Sequence, residues 1–208
     1  MESKKDCARR IQKLLDRYIP DPKPPLHQTN PFTLLIAVVL SAQCTDERVN
    51  RVTPALFSHG DTPKDMCQMG VKEIQRIIKS CGLSTRKARA IFELSCMLEN
   101  EFGGSLPNTM EELLRLPGVG RKTASVVLTQ AFSIPAFPVD THIFRLAHRW
   151  HLSEGKTREA VEHDLRSLFP EESWGKIHLQ MILYGRTFCP ARQHVLERCP
   201  ICSGCAHR

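Results

Sequence analysis

The sequence predicts an all-α fold. Apolar residues recur at helical spacing along most of the chain, and no segment shows the convincing alternation of apolar and polar residues that a half-buried strand requires. Proline and glycine interrupt this pattern at intervals, and Thr or Asp precedes several of the apolar segments as a helix cap. With 208 residues, the chain can bury a core in one large domain or in two smaller ones.

Ten segments carry the helical pattern. The first is amphipathic and ends at the proline-rich stretch YIPDPKPP, whereas the second, FTLLIAVVL, is apolar on all sides and predicts a buried helix. Thr45 and Asp46 are cap candidates for the third helix. Thr109 and Glu112 have the spacing of a capping box for the sixth. The predicted helices cover residues 5–18, 32–42, 46–56, 69–80, 85–101, 110–116, 121–131, 141–150, 156–168 and 173–186.

Composition restricts the classes of partner. Apolar residues form 41% of the chain and charged residues 25%, which excludes a disordered protein. Lys and Arg exceed Asp and Glu by 29 to 22, and the net charge of +7 suits a polyanion such as nucleic acid. The longest apolar stretch is about half as long as a bilayer requires, and MESKKDCARR lacks the apolar core of a signal peptide. We therefore expect a cytoplasmic protein with no membrane partner.

The nine cysteines fall into two groups. The scattered group consists of Cys7, Cys44, Cys67, Cys81 and Cys96. These lie in helical patterns, where a thiol is usually a small buried hydrophobe. The clustered group consists of Cys189, Cys199, Cys202 and Cys205. An odd total without a signal peptide argues against a disulfide framework, and clustered thiols in a reducing compartment more often hold a metal.

The segment LPGVGRKTASVV at 116–127 has the glycine-rich character of a phosphate-binding loop. It is not a Walker loop, because Arg115 stands at the first glycine position and Arg121 separates the last glycine from the lysine. It is not a dinucleotide fingerprint either, since Thr123 replaces the third glycine. Gly118 and Gly120 instead predict a tight turn between two helices. The free N–H groups that begin the second helix then form an anion site suited to a DNA phosphate, with a plain helical corner as the alternative.

Two residues near this turn are candidates for chemistry. Lys122 lies in the first turn of the second helix beside Arg121, where the helix dipole and the neighbouring cation both disfavour the protonated amine. An uncharged amine is what a lysine nucleophile requires. Asp140, in FPVDTHIFRLAHR, stands at the expected N-cap of a later helix, where free amides keep it ionised. A purely capping role is the alternative for Asp140.

These motifs together resemble one family. LPGVGRKTASVVL followed by FPVDTHIFRLAHR is similar to the helix-hairpin-helix and Gly-Pro-Asp segment of the HhH-GPD DNA glycosylase superfamily, and most similar to its endonuclease III branch. LLIAVVLSAQCTDERVN at 34–50, GLSTRKA at 82–88 and YGRTFC at 184–189 also resemble that branch. The resemblance covers almost the whole chain, in the family's order.

The resemblance implies two helical lobes with a DNA cleft between them: a six-helix bundle at 22–132 that ends in the hairpin, and an iron–sulfur lobe formed by 1–21 and 133–208. It implies a bifunctional DNA glycosylase and lyase of base excision repair, acting as a monomer on double-stranded DNA with damaged bases or abasic sites. The expected substrates are oxidised or ring-saturated pyrimidines. The alternatives are a non-catalytic helix-hairpin-helix module and a relative of the mismatch adenine glycosylases, whose lysine position is not lysine.

The resemblance also implies roles for single residues. Lys122 matches the family's nucleophile and Asp140 its essential aspartate. Gln43 matches a residue that fills the space of the extruded base, and Leu83 a wedge into the base stack. The remaining predicted DNA contacts are Gly118, Val119, Gly120 and Arg121 in the hairpin, and His142 and Arg145 beyond Asp140. For His142 and Arg145, a capping or surface role is the alternative.

The clustered cysteines depart from the family's pattern. The family has C-x6-C-x2-C-x5-C around a [4Fe-4S] cluster, and this chain has C-x9-C-x2-C-x2-C over the same span. Cys189, Cys199 and Cys205 fall in the family's register, whereas Leu196 occupies the second ligand's place and Cys202 is the compensating thiol. We expect these four cysteines to hold a [4Fe-4S] cluster, with zinc or no metal as the alternatives.

Overall fold

The computed structural model describes residues 2–205, which form ten α-helices, two 3₁₀ turns and no β-strand. The prediction of an all-α protein is therefore confirmed. The helices are α1 (Lys4–Tyr18), α2 (Pro31–Ser41), α3 (Asp46–Phe57), α4 (Pro63–Ile77), α5 (Ser84–Phe102), α6 (Met110–Arg115), α7 (Arg121–Phe132), α8 (Thr141–Arg149), α9 (Arg158–Leu168) and α10 (Trp174–Thr187). The 3₁₀ turns are Glu171–Ser173 and Leu196–Arg198. No helix among the described residues is long and apolar enough to cross a membrane.

The chain divides into two units, each with its own apolar core. Pro24–Ile134 is the central unit and contains α2 to α7. Met1–Lys23 and Pro135–Arg208 together make the terminal unit, which contains α1 and α8 to α10.

Helix α2 is the innermost helix of the central unit. It begins with a capping box in which the Asn30 side chain accepts from the Thr33 N–H at 2.8 Å, and Pro31 occupies its first position, where no N–H is needed. All nine side chains of 32–40 are buried. The buried helix predicted from FTLLIAVVL is confirmed, because a helix that is apolar on every side is stable only when protein surrounds it.

Helices α4 and α5 differ from the prediction in two ways. Helix α4 begins at Pro63, after a capping box formed by Thr62 and Asp65, and is kinked at Gly70, where φ is +76°. The predicted helix at 69–80 corresponds only to the part after this kink. In addition, Cys67 and Cys96 form a disulfide with Cα atoms 5.2 Å apart, so the prediction of free thiols is wrong for this pair. The antiparallel helices bring together two half-buried cysteines that are far apart in sequence.

The terminal unit packs α1 against α10. Its core includes the fully buried side chains of Phe137, Trp150 and Tyr184. At the edge of the core, the Asp16 carboxylate accepts from Lys176 Nζ at 2.6 Å and from Gln180 Nε2 at 3.0 Å. The hydrogen bond from Lys176, followed by the smaller contribution of Gln180, holds the pKa of Asp16 below its usual value despite partial burial. These contacts fix the N-terminal helix to the helix that leads into the clustered cysteines.

Candidate functional site

The turn between α6 and α7 has the conformation expected of a phosphate-binding hairpin. Gly118 adopts a φ of +79°, and a Cβ atom at this position would lie 2.8 Å from the Cβ of Ala90. Val119 is buried beside it and donates its N–H to the Leu116 carbonyl at 3.1 Å. Gly120 is the N-cap of α7 and provides no side-chain cap, so the first N–H groups of the helix stay available to a ligand. The turn is thus suited to an anion.

We expect Gly118→Ala to lower the free energy of unfolding by about 2 kcal/mol or more, because alanine at this φ is strained and its Cβ meets Ala90. Gly120→Ala is the matched control. Its φ of −96° suits alanine and its Cβ would meet no atom within 4 Å, so we expect a change within about 0.5 kcal/mol. Urea denaturation of both variants measures the difference, and equal stabilities would contradict this account of the turn.

Lys122 is exposed in the first turn of α7, two residues after Gly120. Arg121 is exposed next to it. Among residues 2–205, neither side chain has a hydrogen bond or ion pair with another residue, so both are available to a ligand. A free amine therefore lies beside N–H groups that are suited to a phosphate.

A cleft of about 530 Å³ in the central unit brings the hairpin together with two other predicted DNA contacts. Gln43, Leu83 and Gly118 all line it. Gln43 and Leu83 have φ values of +53° and +60°, which are unusual for residues with side chains. Leu83 is 48% exposed, an uncommon position for a large apolar side chain. Strained backbone of this kind concentrates at functional loops, which supports the interpretation of both residues as parts of a site.

Lys87 is a residue of this cleft that the sequence analysis did not single out. It is only 5% exposed, and its Nζ donates to the Leu40 carbonyl at 2.7 Å. That carbonyl lies in the last turn of α2, where helices leave C=O groups unpaired and favour a cation. Lys87 therefore connects α5 to the end of α2, immediately before the loop that carries Gln43.

We expect Lys87→Met to destabilise the protein by about 1–2 kcal/mol, because the carbonyl of buried Leu40 loses a charged hydrogen-bond donor. Arg86→Met removes an exposed cation from the same helix turn and should change stability by less than about 0.5 kcal/mol. Thermal unfolding of the two variants distinguishes them, and a Lys87→Met protein as stable as the parent would exclude this role.

In the terminal unit, Asp140 is the N-cap of α8, as predicted. Its Oδ1 accepts from the Ile143 N–H at 2.8 Å, and the residue is only 8% exposed. The carboxylate therefore has a fixed orientation set by the helix end.

Arg145 has contacts that favour its structural alternative over a DNA contact. Its Nη2 donates to the carbonyls of Gly185 and Cys189, both at 3.0 Å, and lies 3.3 Å from Nδ1 of His142. Burial, followed by the charge of Arg149, lowers the pKa of the Arg145 guanidinium. Arg145 thus holds the end of α10 against α8, and half-buried His142 lies against it.

Three of the four clustered cysteines come together with a histidine that the sequence analysis did not single out. The Sγ atoms of Cys189, Cys199 and Cys202 and a ring nitrogen of His194 all lie within 4.8 Å of one another. The sulfur atoms of Cys189 and Cys202 are 3.6 Å apart. This group, which we call the Cys3His cluster, is a donor set that binds transition metals. Cys205 lies outside it.

Hydrogen bonds surround the Cys3His cluster. Arg149 donates through Nη1 to Cys189 Sγ at 3.3 Å, and the Tyr184 hydroxyl lies 3.5 Å from Cys199 Sγ. Hydrogen bonds with Cys189, and secondly with Cys202, hold the pKa of Cys199 below its usual value. Hydrogen bonds with Cys189, and secondly with Cys199, raise the pKa of Cys202. Thiols must lose their protons to bind a metal, so metal binding at this cluster would release protons. Outer contacts of this kind orient the ligands of metal sites.

Comparisons with known proteins agree with these motifs. Residues 36–171 match the family model of the HhH-GPD superfamily base excision DNA repair proteins. The chain is 42% identical to the endonuclease III of Rickettsia conorii, over 94% of this chain and 93% of that protein. It is 44% identical to the endonuclease III of Bacillus subtilis, over 86% of this chain and 83% of that protein.

Comparison of the structure with solved structures identifies the same family. A solved structure of a trapped endonuclease III–DNA covalent intermediate, in an estranged-adenine complex, superposes with a TM-score of 0.91 at 41% identity, over 97% of this chain and 94% of that one. The resemblance inferred from the sequence is therefore confirmed. This chain belongs to the endonuclease III family, within the HhH-GPD superfamily of base excision DNA repair proteins.

Proposed function

We propose that this chain is a DNA glycosylase and abasic-site lyase that removes oxidised or ring-saturated pyrimidines from double-stranded DNA. The observation that carries the proposal is the free, exposed amine of Lys122 beside the phosphate-binding turn, in a chain 41% identical to an endonuclease III solved as a trapped covalent intermediate with DNA. A purely structural role would not explain a lysine at this position, because the positive end of the helix dipole disfavours a cation at the N-terminus.

The reaction requires the damaged nucleotide to leave the base stack, at a cost of a few kcal/mol that is lowest for a weakly stacked base. The uncapped N–H groups of α7 and the adjacent Arg121 bind the DNA backbone without regard to sequence. Exposed Leu83 and the loop of Gln43 line one cleft and are suited to occupy the vacated space.

In the chemical step, the Lys122 amine forms a bond to C1′ of the sugar while the glycosidic bond breaks and the base leaves with a proton. The Asp140 carboxylate stabilises the positive charge that develops on the sugar or assists proton transfer. The bond between C1′ and the ring oxygen O4′ then breaks, O4′ takes a proton, and C1′ and the Lys122 nitrogen form a Schiff base. The Schiff base acidifies C2′, so that loss of a C2′ proton and cleavage of the C3′–O bond, with the 3′ phosphate as leaving group, nick the strand 3′ of the abasic site. Base removal and strand nicking thus share one nucleophile.

A duplex that contains one oxidised pyrimidine in a labelled strand tests this function. We expect a cleaved strand without alkali treatment, from the protein acting as a monomer. A non-catalytic module would bind the duplex and release no product. A relative of the mismatch adenine glycosylases would instead act on a mispaired adenine and need alkali to reveal the abasic site.

We also propose that the metal of the terminal unit is a [4Fe-4S] cluster, on the strength of the family resemblance. One observation favours zinc as a second candidate. Thiolates bound to one tetrahedral zinc at ~2.3 Å would lie about 3.8 Å apart, close to the 3.6 Å between Cys189 and Cys202. Protein purified without oxygen should contain about four iron and four sulfide per chain, with absorbance in the visible range. Stoichiometric zinc in a colourless protein would exclude the iron–sulfur cluster.

A further inference from the structure

We infer that His194, and not Cys205, is the fourth protein ligand of the metal in the terminal unit. The inference rests on the metal site proposed above and deepens it by assigning the donor set. Both iron and zinc accept imidazole nitrogen beside thiolate sulfur, so the donor types suit either metal.

The position of His194 suits a ligand. It is half-buried between Cys189 and the 3₁₀ turn Leu196–Arg198, and its ring lies in the same compact group as the three thiols. Its Nε2 is buried and has no hydrogen-bond partner among the described residues. A buried polar atom without a partner costs free energy, and a metal bond would remove that cost.

Cys205 belongs to a different set of contacts. Arg10 of α1 donates through Nη2 to Cys205 Sγ at 3.6 Å, to the Gly204 carbonyl at 3.2 Å and to Cys7 Sγ at 3.7 Å. The Cys205 N–H is also bonded to the Cys202 carbonyl at 2.9 Å, in a tight turn. This thiol therefore attaches the end of the described chain to α1.

The departure from the family's cysteine spacing has a simple explanation on this assignment. At the family's second ligand position the chain has Leu196, which is 43% exposed and offers no donor. His194 precedes that position by two residues and points a nitrogen to the cluster instead. At the fourth position, Cys202 replaces Cys205 and precedes it by three residues. The ligand spacing becomes C-x4-H-x4-C-x2-C, with both substituted donors displaced toward the N-terminus.

The test compares His194→Ala, Cys202→Ser and Cys205→Ser in the full chain, purified without oxygen. We measure iron, zinc and sulfide per chain, the visible spectrum, and the rate of metal loss to a chelator. We expect His194→Ala and Cys202→Ser to lose metal at least about 100-fold faster than the parent, beyond the effect of changing an outer contact. Cys205→Ser should retain its metal and spectrum. His163→Ala, an exposed histidine on α9, is the matched control and should behave like the parent.

Retention of metal by His194→Ala, or loss from Cys205→Ser equal to that from Cys202→Ser, would overturn the assignment. If His194→Ala fails to fold, His194→Cys decides the question. It offers a thiolate in the same place, so it should hold metal even when combined with Cys205→Ser, and loss from that double variant would contradict the inference. If the parent protein binds no metal, the metal site itself is refuted. All of these measurements follow the metal and are independent of DNA cleavage.

Discussion

We expect Lys122→Gln to abolish the covalent protein–DNA adduct that borohydride traps during reaction with a duplex containing an oxidised pyrimidine. Borohydride reduces the Schiff base between the enzyme amine and the sugar, so the adduct requires an amine at this position. Strand cleavage should fall by at least about 10³-fold, because removal of a covalent nucleophile costs that much or more. Trapping on a denaturing gel and single-turnover cleavage measure the two effects.

Protein stability should not change in this variant. The Lys122 side chain is exposed and bonds to no other residue among those described, so glutamine should alter the free energy of unfolding by less than about 0.5 kcal/mol. Equal melting temperatures for parent and variant would therefore assign the lost activity to chemistry.

Arg121→Gln is the matched control, since it removes an equal charge from the adjacent exposed position. It should weaken DNA binding and lower by about 1 the steepness of the fall of log affinity with log salt concentration, as expected for one lost phosphate contact. The trapped adduct should persist. If Lys122→Gln still forms the adduct at the parent's rate, another amine is the nucleophile. If the parent forms none, the chain binds DNA without this chemistry.

The sequence predicted the local features of this fold because each depends on neighbouring residues. Asp140 caps α8 and Thr109 caps α6, since a cap needs only a side-chain acceptor and an N–H three residues later. The burial of α2 followed from its uniform apolarity. The start of α4 was missed because its helical pattern is broken at Gly70, so the segment from Pro63 did not join the later one.

Contacts between distant residues were not predictable in the same way. Arg145 is predicted as a DNA contact from its place beyond Asp140, but its spacing does not reveal that its long side chain reaches the carbonyls at the end of α10. The buried Lys87 reaches Leu40, 47 residues away, and nothing in either segment alone specifies that bond. His194 was missed because the cysteine spacing was compared with a four-cysteine family pattern. A histidine between the first and second cysteines was the available signal.

We expect Asp140→Asn to lower the rate of base removal by about 10²–10⁴-fold, the range for loss of a charged group that assists the transition state. Asparagine caps helices about as well as aspartate, so the bond from the Ile143 N–H is kept and α8 remains intact. The variant separates the two interpretations of Asp140, because it removes the negative charge and retains the cap. Single-turnover base removal and thermal unfolding are the measurements.

Two further variants show whether cap loss alone explains any defect. Asp140→Ala removes both the charge and the cap. It should slow base removal as Asp140→Asn does and also lower the free energy of unfolding by about 1 kcal/mol. Thr157→Ala removes the cap of α9, where the threonine side chain accepts from the Ala160 N–H at 3.2 Å. It should cost similar stability and leave base removal unchanged. If Asp140→Asn removed bases at the parent's rate, the carboxylate would be only a cap, and the charge that develops on the sugar would need another partner.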